Sequence, residues 1–343
     1  MKIVQNWNPA TVVALRDLSA TVRQFDIAPL RSHERGDAQV DALTYPPGAH
    51  LQVQVMADGQ GGGNRLQTRS YSLIGAPDPK AWRIAVKRMD EGRGGSQAMW
   101  RLAVGDRLMT SEPQNLFALD LTAPGYLVVA GGIGITPLVG MVQRLADQAH
   151  ATSVPLRVLY GARTEQELVF SAELQRAVSG LPGQPLQLHS GSALIDFAGE
   201  IAALPTGSQL YTCGPVPMLE ALKTAWQAAG RPQSDLRFET FGSSGRLPTQ
   251  AFRLAVPRHG IDIEVPPSST LLEALEAAGV PTISDCRRGE CGLCAMDVIS
   301  VQGEMDHRDV FLSVREKAEC KRMCVCVSRA AGTITLDSSW RPD

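Results

Sequence analysis

The sequence predicts a multidomain protein with an antiparallel β-barrel, an α/β domain with a parallel sheet, and a small α+β domain. Up to about residue 120, short alternating runs lie between Gly and Pro residues, which is typical of antiparallel β structure. From about residue 121, apolar strands alternate with stretches of helical periodicity, which predicts a parallel sheet. Six of the seven cysteines fall in the last sixth of the chain, which indicates a specialised C-terminal module.

The 343 residues suffice for two or three domains of roughly 100–150 residues each. We predict domains at residues 1–119, 120–236 and 250–343. Residues 237–249 are predicted to be a linker, because they include the run Gly242-Ser-Ser-Gly245.

In the first domain, alternation predicts β-strands at Ala10–Leu15, His50–Met56, Trp82–Lys87 and Gly105–Thr110. The glycine-rich stretch Ala57–Asn64 is predicted to be a flexible loop. Arg31–Tyr45 is predicted to be a polar surface insertion.

In the second domain, the pattern predicts three strands, each followed by a helix. The strands are Tyr126–Ala130, Leu156–Tyr160 and Gln209–Thr212. The helices are Leu138–Gln148, Ser171–Val178 and Val216–Ala229.

The third domain is predicted to begin with a hairpin of Ala251–Val256 and Ile261–Val265, followed by a helix at Thr270–Ala278. After a cysteine-rich loop, Cys324–Val327 and Thr333–Leu336 are predicted to complete a small sheet.

Composition excludes several classes of protein. Hydrophobic residues make up 44% of the chain and charged residues 20%, which excludes an intrinsically disordered chain. The formal net charge of −2 provides no basic field for nucleic acid or acidic lipid. No run approaches the ~20 apolar residues of a membrane helix, and the first residues lack the pattern of a secretory signal. We therefore expect a cytoplasmic protein with a metal or redox site in place of disulfides.

The cysteine spacing points to an iron–sulfur cluster. Cys286-x4-Cys291-x2-Cys294, with a further cysteine downstream, is the spacing of a plant-type [2Fe–2S] ferredoxin. Gly289 and Gly292 are expected to relieve crowding and to turn backbone N–H groups toward the sulfurs. A zinc site is the alternative, although zinc ligands usually come as two close cysteine pairs.

The fourth ligand is ambiguous, because Cys320, Cys324 and Cys326 all lie downstream. We select Cys326, because Cys326-Val-Ser-Arg, followed by the predicted strand Thr333–Leu336, resembles the end of a ferredoxin. Cys324 fits the register of that ending less well.

Two segments in the first domain indicate a phosphate-bearing aromatic ligand. Arg69-Ser-Tyr71-Ser72-Leu73 offers an arginine for a phosphate and a tyrosine for ring stacking. Gly92-Arg-Gly-Gly-Ser96 precedes a predicted helix, where backbone N–H groups can bind phosphate.

These two motifs, and the order of the three regions, resemble the phthalate dioxygenase reductase-like family of the ferredoxin reductase superfamily. The resemblance implies an FMN-binding β-barrel, an NADH-binding α/β domain and a β-grasp-like ferredoxin domain. It implies that the flavin is held by Arg69, Tyr71, Ser72, Leu73, Lys87, Gly94, Gly95 and Ser96. It further suggests that Phe241 lies against the flavin, although an interdomain packing role is an open alternative.

A third motif indicates a nicotinamide nucleotide. Gly131-Gly-Ile-Gly-Ile-Thr-Pro137 follows an apolar strand and opens a helix, where glycines let a pyrophosphate approach. The resemblance implies that NADH is bound by Gly132, Gly134, Thr136, Pro137, Arg163, Cys213 and Gly214. NADH is favoured over NADPH, because Glu165 and Glu167 would repel a 2′-phosphate.

The implied function is electron transfer from NADH to FMN, then to the [2Fe–2S] cluster, then to an external acceptor. Cys213, Tyr71 and Ser72 are the expected catalytic residues. The family implies that a monomer serves as the reductase of a two-component Rieske-type aromatic oxygenase. The alternatives are a self-sufficient flavin reductase or diaphorase for small acceptors, and a non-enzymatic redox sensor. Arg287, Arg288 and Arg322 are candidates for docking the oxygenase.

Overall fold

The computed structural model describes residues 6–30, 43–58, 64–90, 94–191, 195–241 and 247–338. These residues fall into two compact units, the first ending at Glu239 and the second beginning at Thr240. In the described ranges, no helix combines the length and the apolar character that crossing a membrane requires.

The first unit begins with a six-stranded antiparallel sheet. Its strands are β1 (Asn8–Asp17), β2 (Val22–Pro29), β3 (His50–Asp58), β4 (Asn64–Ser72), β5 (Trp82–Lys87) and β6 (Arg107–Thr110). They are ordered β4-β3-β6-β1-β2-β5. Inward-facing residues such as Phe25, Leu51 and Ile84 are fully buried, as the alternation requires. The predicted antiparallel β domain is confirmed.

The predicted surface insertion at Arg31–Tyr45 is wrong at Leu43 and Tyr45. Residues 31–42 lie outside the described part of the chain, but Leu43 and Tyr45 are buried in the core of the sheet. The Tyr45 hydroxyl donates to the carbonyl of Ile74 at 3.2 Å, which satisfies its polar end. Of the predicted loop at Ala57–Asn64, residues 59–63 also lie outside the described ranges.

A parallel sheet follows in the same unit. Its strands are β7 (Tyr126–Gly131), β8 (Leu156–Ala162), β9 (Leu186–Ser190), β10 (Gln209–Cys213) and β11 (Leu236–Glu239). The helices of this unit are α1 (Gly95–Arg101), α2 (Thr136–Thr152), α3 (Ser171–Ala177), α4 (Phe197–Ala202) and α5 (Val216–Ala228). The strand order is β11-β10-β7-β8-β9. The order reverses between β7 and β10, where sheets of this kind bind ligands at the carboxyl ends of their strands.

Residues 237–239 belong to β11, although the sequence predicts a linker there. The strand has only four residues, and Arg237 and Glu239 interrupt the apolar run that marks the other strands. Its place comes from parallel pairing with β10 and not from its own hydrophobicity.

One hydrophobic core joins the antiparallel and parallel sheets. Ile74 and Phe117 from the first region pack in the same cluster as Tyr126 of β7 and Met141 of α2. A Cβ atom on Gly140 of α2 would lie 2.9 Å from the carbonyl oxygen of Gly75. The helix can approach the first region this closely only because residue 140 has no side chain.

The second unit is a five-stranded mixed sheet. Its strands are β12 (Phe252–Val256), β13 (Ile261–Val265), β14 (Ala295–Asp306), β15 (Arg322–Cys324) and β16 (Arg329–Asp337). Its helices are α6 (Leu271–Ala277) and α7 (Val314–Glu319). The order is β13-β12-β16-β14-β15, with β12 and β16 parallel. The α6 leucines lie in the core of this sheet, which confirms the predicted α+β domain.

The predicted strand Cys324–Val327 is placed differently. β15 ends at Cys324, and the backbone N–H groups of Val327 and Ser328 both donate to the Cys324 carbonyl oxygen, at 3.3 and 3.0 Å. Residues 325–328 therefore turn away from the sheet edge, back toward the cysteine-rich loop.

Replacing Gly140 with alanine tests the contact between the two sheets. Helix propensity alone favours alanine, but the new methyl group meets backbone that cannot move independently. We expect Gly140→Ala to lower the free energy of unfolding by about 1–3 kcal/mol, measured by urea denaturation. Gly161→Ala is the control, since its Cβ would meet only Ile195 at 3.6 Å. Equal stability of the two variants would contradict the close packing.

Candidate functional site

The end of β4 and the start of α1 form the predicted flavin region. The Arg69 guanidinium donates to the Thr68 carbonyl at 2.8 Å and to the side-chain oxygen of Gln67. It lies directly over Gly95, where a Cβ atom would overlap its Nε. Gly95 therefore lets the arginine lie against the first turn of α1, where backbone N–H groups are unpaired. A cation and free N–H donors in one place suit a phosphate.

The glycine-rich loop before α1 is fastened at both of its described ends. Ser96 accepts the backbone N–H of Met89 at 3.0 Å, and the Gln97 amide donates to the Asp90 carbonyl at 3.0 Å. Gly94 adopts a φ of +78°, which favours glycine. Two residues of the predicted motif, Gly92 and Arg93, lie outside the described ranges.

Tyr71 and Ser72 occupy neighbouring positions at the end of β4. Burial raises the pKa of the Tyr71 phenol, with the charge of Arg69 a smaller, opposing effect. The phenol therefore stays neutral and keeps an aromatic face for stacking. The Ser72 hydroxyl donates to the carboxylate of Glu239 at 3.4 Å, and Leu73 is buried beside it.

Glu239 is a site residue that the sequence analysis missed. It is 2% exposed and lies at the end of β11. In the parallel pairing of β10 with β11, Glu239 is the partner of Cys213. The structure thus brings together Ser72, Cys213 and Glu239 from three separate strands. The sequence signal for Glu239 is an acidic residue at the carboxyl end of a short strand. That signal is weak, because β11 itself was not predicted.

The predicted nicotinamide motif forms the adjacent edge of the sheet. Gly132–Ile135 is a short 3₁₀ helix between β7 and α2. A Cβ atom on Gly134 would overlap the Cys213 carbonyl oxygen, whereas a Cβ atom on Gly132, which has a φ of +54°, would meet no atom within 4 Å. Gly134 therefore lets the 3₁₀ helix lie against the end of β10, whereas Gly132 faces open space. Glycines at the carboxyl ends of parallel strands let a dinucleotide approach the backbone.

The other predicted nicotinamide residues line the same edge. The Thr136 hydroxyl donates to the Ile133 carbonyl at 3.0 Å, and Pro137 occupies the first turn of α2, where its missing N–H costs nothing. Gly214 follows Cys213 and packs against Gly131. Cys213 itself is 1% exposed and belongs to the core shared by the two sheets.

Lys87 and Arg163 are the predicted ligand-binding residues with the weakest structural support. Lys87 forms an ion pair with Glu167 at 2.7 Å, so neither charge is free. Arg163 follows β8 and is exposed. Of the two acidic residues predicted to repel a 2′-phosphate, Glu165 is exposed, whereas Glu167 is paired with Lys87.

In the second unit, the cysteine-rich loop has the expected glycine conformations. Gly289 and Gly292 have φ values of +77° and +72°. A Cβ atom on Gly289 would lie 2.6 Å from Val327, and one on Gly292 would overlap the ring of Phe311. Both positions therefore require glycine for conformation and for space.

The Cys286 sulfur accepts backbone N–H groups from the loop. The donors are Arg288 and Cys291, each at 3.4 Å. Burial raises the pKa of the Cys286 thiol, while these N–H groups lower it. Backbone donors around a sulfur are the arrangement that supports a ligating thiolate.

Cys294, Cys324 and Cys326 form a sulfur group on the other side of the loop. The side chains of Cys324 and Cys326 both hydrogen-bond to Cys294, which lowers the pKa of Cys294 to about 4 against the effect of burial. Cys326 also accepts the backbone N–H of Gly289. The pKa of Cys324 is raised by donation to Cys294, by burial and by the negative charge of Asp309.

All seven cysteines are free thiols. In the part of the chain that the structure describes, no three His, Cys, Asp or Glu side chains converge as a site for a single metal ion. The buried sulfurs together with their N–H donors fit a thiolate-bound cluster in the chemistry of the donor set.

The predicted arginine docking surface is wrong for Arg288. Its side chain is 10% exposed and forms an ion pair with Glu290 at 3.4 Å. Glu290 in turn accepts the backbone N–H of Thr240 at 2.5 Å, which fastens the loop to the start of the second unit. Arg287 is paired with Glu276 at 2.6 Å.

Phe241, predicted to lie against the flavin, belongs to the second unit and is 38% exposed.

Comparison with known proteins agrees with the two units. The family model of the oxidoreductase NAD-binding domain matches residues 128–224, and that of the 2Fe-2S iron-sulfur cluster binding domain matches residues 255–331. Phenoxybenzoate dioxygenase subunit beta of Ectopseudomonas oleovorans is 35% identical over 88% of this chain and 91% of its own length.

Two further relatives cover nearly the whole chain. The phthalate 4,5-dioxygenase oxygenase reductase subunit of Pseudomonas putida is 31% identical over 95% of this chain and 94% of its own length. A solved structure of phthalate dioxygenase reductase, described as modular for electron transfer from pyridine nucleotides to [2Fe-2S], superposes with a TM-score of 0.72. It is 29% identical and covers 97% of this chain and 98% of its own. The chain therefore belongs to the phthalate dioxygenase reductase-like family of NAD-binding, [2Fe–2S] oxidoreductases.

Proposed function

We propose that this protein is the reductase component of a two-component oxygenase system, carrying electrons from NADH through FMN and a [2Fe–2S] cluster to a separate oxygenase. The observation that carries the proposal is the meeting of Ser72, Cys213 and Glu239 at one point. This meeting joins the end of β4, which carries the predicted flavin motif, to the carboxyl edge of the parallel sheet. A flavin and a nicotinamide held by these elements would share that point.

The residues around this point have separate roles. Arg69, Gly94, Gly95 and Ser96 would bind the phosphate of FMN, while Tyr71 and Leu73 would contact its ring system. When bound, FMN accepts two electrons as hydride and releases them singly, which the step from nicotinamide to cluster requires. Lys87 is a weaker candidate, because its charge is already paired with Glu167.

The nicotinamide side uses the glycines at the ends of β7 and β10. Gly132, Gly134 and Gly214 would let the dinucleotide approach the backbone, with Thr136 and Pro137 starting the helix beneath it. Ser72 and Cys213 would position the nicotinamide, and Glu239 would orient the Ser72 hydroxyl by accepting its hydrogen bond. Arg163 would contact the nucleotide from the end of β8. The exposed Glu165 supports a preference for NADH over NADPH.

The cluster ligands would be Cys286, Cys291, Cys294 and Cys326. The hydrogen bond from Gly289 and the electrostatic coupling to Cys286 support Cys326, because they place it on the loop side of the sulfur group. When bound, the cluster accepts and releases one electron at a time. Phe241 remains a proposed flavin contact.

The acceptor is proposed to be a Rieske-type oxygenase acting on an aromatic compound. The names of the phthalate and phenoxybenzoate relatives support an aromatic oxygenase. We further propose a monomer that acts in the cytoplasm, where seven free thiols would remain reduced.

Replacing Cys291 with serine separates electron transfer through the cluster from reduction by flavin alone. We expect Cys291→Ser to abolish NADH-dependent cytochrome c reduction and to spare ferricyanide reduction, because ferricyanide accepts electrons from the flavin. Cys320→Ser is the matched control, since Cys320 is exposed and its thiol donates to the Lys317 carbonyl. If both rates of Cys291→Ser equal those of the wild type, the cluster is not on the path, and a self-sufficient flavin reductase is favoured.

Removing the Ser72 hydroxyl tests the meeting point of the strands. A hydrogen bond to a charged group is worth roughly 1.5–3 kcal/mol, so Ser72→Ala should lower the rate of flavin reduction by NADH about tenfold or more. The rate is measured by stopped-flow absorbance under anaerobic conditions. Ser234→Ala, at an exposed serine whose hydroxyl donates to Asp235, should leave the rate unchanged. A wild-type rate in Ser72→Ala would remove Ser72 from the reaction.

A further inference from the structure

Strand β5 packs against two different cores. Its inward-facing residues are buried in the core of the antiparallel sheet: Trp82, Ile84 and Val86. Ala85 points the other way and is buried in the core shared with the parallel sheet. Arg83 and Lys87 lie on the same face as Ala85, because side chains two positions apart point to one side of a strand. This second face of β5 therefore places two basic residues on the side of the parallel sheet.

Lys87 connects this face to residues 163–170, the segment between β8 and α3. Its ammonium group donates to the carboxylate of Glu167 at 2.7 Å. The side chains of Lys87 and Glu167 are only 26% and 20% exposed, so solvent screens their attraction less than that of a surface pair. The ion pair is thus a defined contact between the antiparallel and parallel sheets.

The backbone at Glu167 is fixed independently of Lys87. The hydroxyl of Tyr160, a fully buried residue of β8, donates to the Glu167 carbonyl at 3.2 Å. The Glu167 N–H donates to the Thr164 carbonyl at 3.1 Å. The three residues that follow are buried in the shared core: Leu168, Val169 and Phe170. A carboxylate carried on so firmly held a backbone can fix the position of β5 relative to β8.

The two partners lie on elements that lead to the two predicted binding regions. Lys87 is the last residue of β5, and Met89, two positions later, donates its N–H to Ser96 of the predicted phosphate-binding motif. On the other side, Gly161 of β8 pairs with Gly131, the first residue of the predicted nicotinamide motif. A displacement of β8 relative to β5 would therefore move the two regions relative to each other.

Arg83, near the start of β5, makes a looser contact with α3. Its guanidinium lies 3.8 Å from the carboxylate of Glu173, and also 3.8 Å from that of Asp26 in β2. Both distances exceed that of a hydrogen bond. Ion pairs of this kind contribute little. Glu173 is therefore a matched control for Glu167, because it is also a glutamate facing a basic residue of β5.

We propose that Glu167 is a positioning residue for hydride transfer, which acts through its ion pair with Lys87. The pair holds the end of β8 at the end of β5 and so fixes the predicted nicotinamide region relative to the predicted flavin region. It gives Lys87 a protein partner in place of a direct contact with flavin. The assignment rests on the proposed function, because it requires both ligands. Since hydride transfer needs near contact of donor and acceptor, loss of the pair lowers the rate more than the affinity for NADH.

The first test compares Glu167→Gln, Lys87→Met and the double variant in the full-length protein. Anaerobic stopped-flow absorbance gives the limiting rate of flavin reduction and the NADH concentration that half-saturates it. We expect each single variant to lower the limiting rate about fivefold, with half-saturation within about twofold of wild type and the FMN content unchanged. The double variant should be no slower than either single variant, because all three lack the same interaction. Glu173→Gln should keep the wild-type rate.

The second test measures the contact itself. Hydrogen exchange of residues 163–170 is followed by mass spectrometry in the full-length proteins without NADH. Exchange should be faster in Glu167→Gln and Lys87→Met than in the wild type, because the segment has lost its tie to β5. Glu173→Gln should exchange at the wild-type rate.

Several results would overturn the assignment. Wild-type limiting rates in both single variants, or unchanged exchange of residues 163–170, would show that the pair positions nothing. Loss of FMN from Lys87→Met, with a normal Glu167→Gln, would make Lys87 a flavin ligand. Losses that multiply in the double variant would show that the two residues act separately. A wild-type protein whose flavin NADH does not reduce would overturn the proposed function, and this assignment with it.

Discussion

The contact between the carboxyl edge of the parallel sheet and the end of β4 is the constraint on which the proposed chemistry depends. Hydride transfer requires donor and acceptor in near contact, so the two binding regions cannot be independent. The shared core of Ile74, Phe117 and Met141 holds them together, and the absence of a side chain at Gly140 permits the approach. The bond from Ser72 to Glu239 then joins the two sheets at the site itself.

The cysteine-rich loop obeys a different constraint, set by space around its backbone. Gly289 is enclosed by Val327 and Asp309, and Gly292 lies under the ring of Phe311. These contacts fix the loop from outside, while the bond from Thr240 to Glu290 fixes it at the start of the unit. A loop held in this way presents its sulfurs with little reorganisation, which favours electron transfer over ligand exchange.

The sequence predicted those parts of the protein that depend on local pattern. The cysteine spacing, the glycine motif after β7 and the alternating strands each carry their signal within a few residues. Glu239 was missed because β11 owes its place to pairing, and because Ser72 lies 167 positions away. Arg288 was predicted to be exposed, since arginine usually is, but Glu290 neutralises it in a buried position. The choice of Cys326 over Cys324 rested on resemblance alone, because the turn at residues 325–328, which gives the two cysteines different neighbours, has no signal in the sequence pattern.

The central claim is that one chain holds both a flavin and a [2Fe–2S] cluster, and the most direct measurement is the composition of the purified protein. The visible spectrum should show combined flavin and iron–sulfur absorption. Acid treatment should release FMN, and analysis should find iron and acid-labile sulfide in equal amounts. A colourless protein that contains zinc and no flavin would contradict the account.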